Sequence, residues 1–179
     1  MPRVFSAIEI EQTEALNKLK QVRNETDLGF KPVPTEKMHI TLQFFKNTDK
    51  QEIKKIEQAL NNVQQEPFNV EIRGLGAFPS KNHVRVIWAG INSEKIFDLH
   101  NQVSQHEVPD SSQHEFEPHI TLHRVKKLRK GQKKTLHEKF EKYQGRKIAD
   151  IKVDKVKLFE SVLKENGPHY RKLKVKKLE

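Results

Sequence analysis

The stretch EKMHITLQFF (Glu36–Phe45) decides the fold, because its centre returns in FEPHITLHRV (Phe116–Val125). Both copies read His-Ile-Thr-Leu. In an extended strand, residues i and i+2 share a face. His39 and Thr41 therefore point one way, while Ile40 and Leu42 point into a core. His119 and Thr121 repeat the arrangement against Ile120 and Leu122. One strand histidine beside a threonine is ordinarily surface decoration. Two such pairs in matching strand contexts point to one shared site with two imidazoles and two hydroxyls.

Outward from the motif, the whole pattern repeats. The two histidines lie 80 residues apart (119 − 39). RVFSAIEI (Arg3–Ile10) reads as a strand and matches VRVIWAGI (Val84–Ile91). The segment 11–24 carries Leu16, Leu19 and Val22 at helical spacing and matches 93–108, with Ile96, Leu99 and Val103. KPVPTEK (Lys31–Lys37) holds two prolines and reads as an extended lead-in. A second helix is expected over 48–65, capped by Thr48 or Asp49 and striped by Ile53, Ile56, Leu60 and Val63. It matches 130–143. A strand alternating through Phe68, Val70 and Ile72 matches 148–154. Outside His-Ile-Thr-Leu the letters differ, so the repeat is one of pattern.

The chain closes with a hairpin over 155–178, turning at Asn166-Gly167-Pro168. The expected fold class is α+β: a single bilobal domain over 1–179, with repeat units of roughly 3–78 and 83–158. Its two lobes are related by a pseudo-two-fold axis, with mostly antiparallel sheets packed face to face, outer helices, and an active-site cleft between them.

Composition narrows the function. Lys plus Arg is 34 against 24 for Asp plus Glu, a net charge of +10, which favours polyanions, nucleic acid first. A solvated lysine-rich surface gives the same total. Apolar residues, 34% of the chain, fall in short runs that can bury a core. No run spans a membrane, and no membrane partner is expected. There is no cysteine, hence no disulfide framework or thiolate metal site. The opening MPRVFSAIEIEQTE lacks the order of a signal peptide, so a cytoplasmic location is expected.

Histidine titrates at about 6.5, so a facing pair can hold one neutral and one protonated ring near neutral pH. That supplies a base and an acid together. The threonine hydroxyls of Thr41 and Thr121 can donate to non-bridging phosphate oxygens. A metal site would want further ligands close by. The next positions on the motif face by alternation are Gln43 and His123, not carboxylates, so no metal is expected.

These features resemble the 2H phosphoesterase superfamily. The closer resemblance is to bacterial and archaeal RNA 2′,3′-cyclic phosphodiesterases, also called 2′-5′ RNA ligases. It rests on the two His-x-Thr blocks, on GLGAFPSKNHVRVIWAGI (Gly74–Ile91) and on ESVLKENGPHY (Glu160–Tyr170). Lys46 follows Phe44-Phe45 where the family commonly has glycine. The resemblance implies hydrolysis of a terminal ribonucleoside 2′,3′-cyclic phosphate to a 2′-phosphate, without metal or cofactor, and in some relatives 2′-5′ joining. It implies RNA ending in a cyclic phosphate as the partner, tRNA fragments among the candidates, and a monomer is expected. It assigns His119 as base and His39 as acid. It also suggests that Phe44 and Arg124, each five residues past its histidine, hold the terminal nucleotide. Packing of Phe44 in the core and a surface ion pair for Arg124 are the plainer alternatives.

Trp88 is expected in the core. His83, His100, His106, His114, His137 and His169 lack a threonine at i+2 and read as ordinary polar residues. His123 and Tyr170 are further candidates to reach the cleft. Two rival functions remain at this level: a phosphoesterase for 2′-5′ oligonucleotides or small cyclic nucleotides, and a non-catalytic RNA-binding module.

Overall fold

The computed structural model describes residues 1–112 and 114–179. In chain order its elements are β1 (Arg3–Glu9), α1 (Thr13–Glu25), β2 (Lys31–Pro32), β3 (His39–Phe45), α2 (Lys50–Asn61), β4 (Phe68–Ser80), β5 (His83–Asn92), α3 (Lys95–Val103), β6 (His119–Arg124), α4 (Lys130–Tyr143), β7 (Lys147–Val153), β8 (Lys155–Lys164) and β9 (Gly167–Lys177). The α+β class and the antiparallel pairing match the expectation. The strands form one sheet of order β7-β4-β5-β6-β3-β1-β8-β9, with β2 added to β6.

The junction of the halves differs from the expected face-to-face packing. β3 and β6 lie side by side, bridged where Ile40 faces Ile120. The order reads symmetrically from its two ends when β4 is matched with β8 and β7 with β9, whereas the sequence pattern matches β4 with β7. Alternation states which face of a strand is buried; it does not state which edge is paired. The place beside β1 that corresponds to β4 beside β5 is taken by the first strand of the C-terminal hairpin.

The helices interlock the halves. α1 leaves β1 but packs on β6 and β7, and α3 leaves β5 but packs on β3. One continuous apolar core results, with Ile40, Leu42, Ile120 and Leu122 against helix residues such as Leu19, Val22, Ile96 and Leu99. α2 is capped by Asp49, whose carboxylate accepts from Glu52 N while the Glu52 carboxylate accepts from Asp49 N, each at 2.8 Å. Thr48 is buried instead.

α3 stops at Val103, short of the expected 108. The Ser104 hydroxyl donates to His100 O at 2.6 Å, a local bond that competes with further helix. The chain after it is thereby free to cross to β3, where Ser111 N donates to Phe44 O at 2.7 Å. The other lead-in does the same in reverse. Lys31 and Pro32 pair with Arg124 and His123, and Val33 N donates to Leu122 O at 2.9 Å. Beyond the single Ile40–Ile120 bridge, these two segments wedge the motif strands apart.

Candidate active site

The motif strands carry matching β-bulges. On β3, Thr41 lies opposite Ala7 but Gln43 lies opposite Ser6, so Leu42 is an extra residue. On β6, Thr121 lies opposite Trp88 but His123 lies opposite Ile87, so Leu122 is extra. A bulge reverses the phase of everything after it. Strict alternation would bury Phe44 and Arg124; the bulges turn them to the motif face. His39, Thr41 and Phe44 of β3 and His119, Thr121 and Arg124 of β6 all line one cavity of about 840 Å³. Phe44 is half-buried against a small cleft-side cluster of Phe5, Ala7 and Phe159, separate from the main core.

The same phase reversal removes Gln43 and His123 from the face on which alternation sets them. Gln43 is buried and its carbonyl accepts from His106 Nε2 at 3.0 Å. His123 is fully buried beneath the end of α1, its Nε2 donating to Arg23 O at 2.7 Å and lying 3.0 Å from Thr26 Oγ1. Each residue after a bulge is thus latched to the segment that ends the helix packed on its strand.

The two histidines are held alike. His39 Nδ1 is 2.7 Å from Lys37 O, and His119 Nδ1 is 2.7 Å from Glu117 O. A carbonyl only accepts, so each Nδ1 carries the proton and each neutral ring has its lone pair on Nε2. Aromatic walls support both rings. His39 packs against Phe5 and edge-on to Tyr170, with centroids 5.2 and 5.7 Å away. His119 packs edge-on to Phe78 and against Trp88, at 4.8 and 5.8 Å. Burial pushes both imidazoles below their ordinary value; the carbonyl bonds oppose this, and the Arg124 charge adds to it. A charge on His119 lowers His39 further, so the pair disfavours two protons.

Trp88 is half-buried under His119 rather than in the main core. Gly76 makes this possible: a Cβ there would come within 2.3 Å of the indole. Tyr170 does line the cavity, its hydroxyl pushed up by burial. The Lys37 ammonium donates to Pro168 O at 2.7 Å and ties the hairpin turn to the lead-in of β3.

His100 and His114, read from sequence as ordinary polar residues, also line the cavity, and the His100 ring lies parallel to Phe116 at 3.9 Å. Sequence reading passed over Lys31 and Lys37 as well. The only signal for them was the proline-spaced lead-in, which says extended but not toward what. Among the described residues no group of three or more His, Asp or Glu side chains is gathered that could hold a metal ion.

The sequence model of the family described as "LigT like Phosphoesterase" matches the chain twice, over residues 8–88 and 91–170. The RNA 2′,3′-cyclic phosphodiesterase of Methanocaldococcus jannaschii is 29% identical over 174 residues, covering 96% of this chain and 98% of that one. The protein of the same name from Thermotoga maritima is 31% identical over 187 residues, covering 96% and 92%. A crystal structure of a Thermus thermophilus protein is similar with a TM-score of 0.77 at 25% identity, covering 98% of this chain and 97% of that one. Apo LigT of E. coli gives 0.77 at 20% identity, covering 99% and 98%. Each match to the family model encloses one histidine strand, and the two strands meet in one cleft: the chain belongs to the LigT-like phosphoesterase family.

Proposed function

We propose that this protein is an RNA 2′,3′-cyclic phosphodiesterase that opens a terminal cyclic phosphate with water and leaves a 2′-phosphate. The observation that carries the reading is the paired tautomer. Two imidazoles line one cleft, each with Nδ1 committed to a backbone carbonyl and Nε2 left for chemistry. The name shared by relatives such as those of M. jannaschii and T. maritima supports the substrate class.

Water loses its proton to one Nε2 as its oxygen bonds to phosphorus. The P–O3′ bond breaks, and the other imidazolium gives its Nε2 proton to the departing oxygen. The free protein favours neutral rings, so the anionic substrate is what restores a proton to one of them. Mutual repulsion then keeps the second ring neutral. The Thr41 and Thr121 hydroxyls donate to the non-bridging oxygens, and Arg124 balances the charge that gathers there. Phe44 holds the terminal nucleotide by stacking. No step calls for a metal. With a 5′ hydroxyl taking the place of water, the same attack on phosphorus and loss of O3′ join that hydroxyl to the 2′-phosphate, a 2′-5′ ligation.

The test is incubation with RNA ending in a 2′,3′-cyclic phosphate, with the product phosphate located by its chemistry. A 2′-phosphate formed in the presence of a chelator is expected. A 3′-phosphate would reverse the assigned bond cleavage, and activity lost to the chelator and restored by one divalent ion would remove the metal-free mechanism.

A further inference from the structure

Strand β2 is two residues long, yet it sets Lys31 opposite Arg124. Directly opposed residues of an antiparallel pair project from the same face, with Cβ atoms about 4.5–5.5 Å apart. Both side chains line the cavity, and both residues are exposed. No ion pair among the described residues includes either of them. Like charges so opposed destabilise a strand pair. An anion bound between or beside them reverses that cost. The opposite end of the cleft is built differently. There β3 presents Phe44, crossed by the segment of Asp110 and Ser111. Arg3 also lines the cavity, at the Phe44 end, so what sets the β2 end apart is the directly opposed pair Lys31 and Arg124.

The two cations are not equivalent. Arg124 stands close enough to push both imidazoles toward the neutral form and to favour the Tyr170 phenolate. Lys31 stands on the added strand β2, opposite Arg124 and opposite neither histidine. Its backbone is nonetheless fixed. Val33 N donates to Leu122 O at 2.9 Å, and Arg23 Nη1 donates to Val33 O at 2.6 Å. A lysine here is a flexible point charge that can meet a phosphate without the planar fit an arginine demands.

We propose that Lys31 is a second phosphate-binding residue. It receives the internucleotide phosphate on the 5′ side of the terminal cyclic-phosphate nucleotide, so that the body of the RNA leaves the cleft over β2. This rests on the RNA phosphodiesterase reading and adds to it a direction for the strand.

Three substrates test it: a nucleoside 2′,3′-cyclic phosphate, a dinucleotide with the same end, and that dinucleotide with an uncharged methylphosphonate linkage. The wild type is expected to show its lowest KM on the charged dinucleotide. Lys31→Gln is expected to raise that KM about tenfold more than it raises the other two. The rise of KM with salt for the charged dinucleotide is expected to become shallower, because one screened charge–phosphate contact is gone. Equal effects on all three substrates, or an unchanged salt slope, overturn the proposal while the phosphodiesterase reading stands. A wild type that hydrolyses none of the three overturns both.

Discussion

Ile40 lies directly opposite Ile120 across the junction of the two half-sheets, and both are fully buried. On either side of that single bridge stand His39 and Thr41 of β3 and His119 and Thr121 of β6, all four lining the cleft. In the proposed reaction one phosphorus lies between the rings and is approached from opposite sides.

The Ile pair is therefore expected to matter to both stability and rate. Ile120→Ala should cost about 2–5 kcal/mol in urea unfolding. Ile56→Ala, equally buried but on α2, should cost a similar amount. Where both variants are fully folded, only Ile120→Ala is expected to lower kcat/KM. Equal kinetic losses would mean that the junction has no special hold on the site.

The latch beneath Arg124 gives a second expectation. His123→Leu removes one of three donors to Arg23 O, which keeps Thr26 N and Thr26 Oγ1, so the loss is that of one hydrogen bond, about 0.5–1.5 kcal/mol. Arg124 is the next residue, so its aim should loosen and KM should rise. His123→Gln, which restores an N–H donor, should recover part of both losses. A stability loss with KM untouched would show that the bulge holds Arg124 without the latch.

Gly76 and Trp88 offer a spectroscopic test, because Trp88 is the only tryptophan. Gly76→Ala must displace an indole that would sit 2.3 Å from the new Cβ. The emission of Trp88 should shift, and the supported His119 should lose its placement. A fall of kcat on the order of 10- to 100-fold is expected, in line with small misplacements of catalytic groups. A shifted emission with unchanged kcat would mean that Trp88 does not position His119.

These residues mark what the sequence could and could not say. His39, Thr41, His119 and Thr121 were legible because the period of two is strict within four residues and the word occurs twice. α4 was legible to the residue. Gln43, His123, Phe44 and Arg124 were not placeable by periodicity, since one inserted residue at Leu42 or Leu122 inverts the count. Only the resemblance put Phe44 and Arg124 at the site. The junction at Ile40 and Ile120 was illegible for another reason: a partner edge far along the chain leaves no mark in local alternation. Lys31 shows both failures, since a two-residue strand has no pattern to read.

The imidazole environments set a pH expectation. Both folded-state pKa values are lowered, first by burial. The base needs pH above its lowered value, and the acid needs pH below its own. Both limbs of the kcat/KM profile, which reports the free enzyme, should therefore lie on the acid side of about 6.5. The alkaline limb of kcat should lie higher, because a bound phosphate favours the imidazolium. Arg124→Gln removes a charge that depresses both rings and should move the kcat/KM profile to higher pH. A profile that stays in place would separate Arg124 from the pair electrostatically.

The last expectation concerns which histidine does what. Each ring stands on its own strand, so in one turnover each serves one side of phosphorus. The resemblance assigns water activation to His119 and protonation of O3′ to His39. The free protein does not enforce this order, because a charge on His119 itself lowers His39 and the first proton can rest on His119. Substrate must therefore set the roles, and a leaving group can expose them. A 3′-thio cyclic ester departs with little need of a proton, so it bypasses the acid but not the base. With it, His39→Ala should recover most of its rate while His119→Ala stays inactive. Thr41→Ala and Thr121→Ala, which each remove one donor to the phosphate, should lose roughly 10²–10³ in rate on either substrate. Recovery of His119→Ala instead would exchange the two assignments. Recovery of neither would mean that both rings are needed for proton transfer at water or for holding the phosphate, and the acid would have to be sought elsewhere in the cleft, with the half-buried Tyr170, packed edge-on to His39, a candidate.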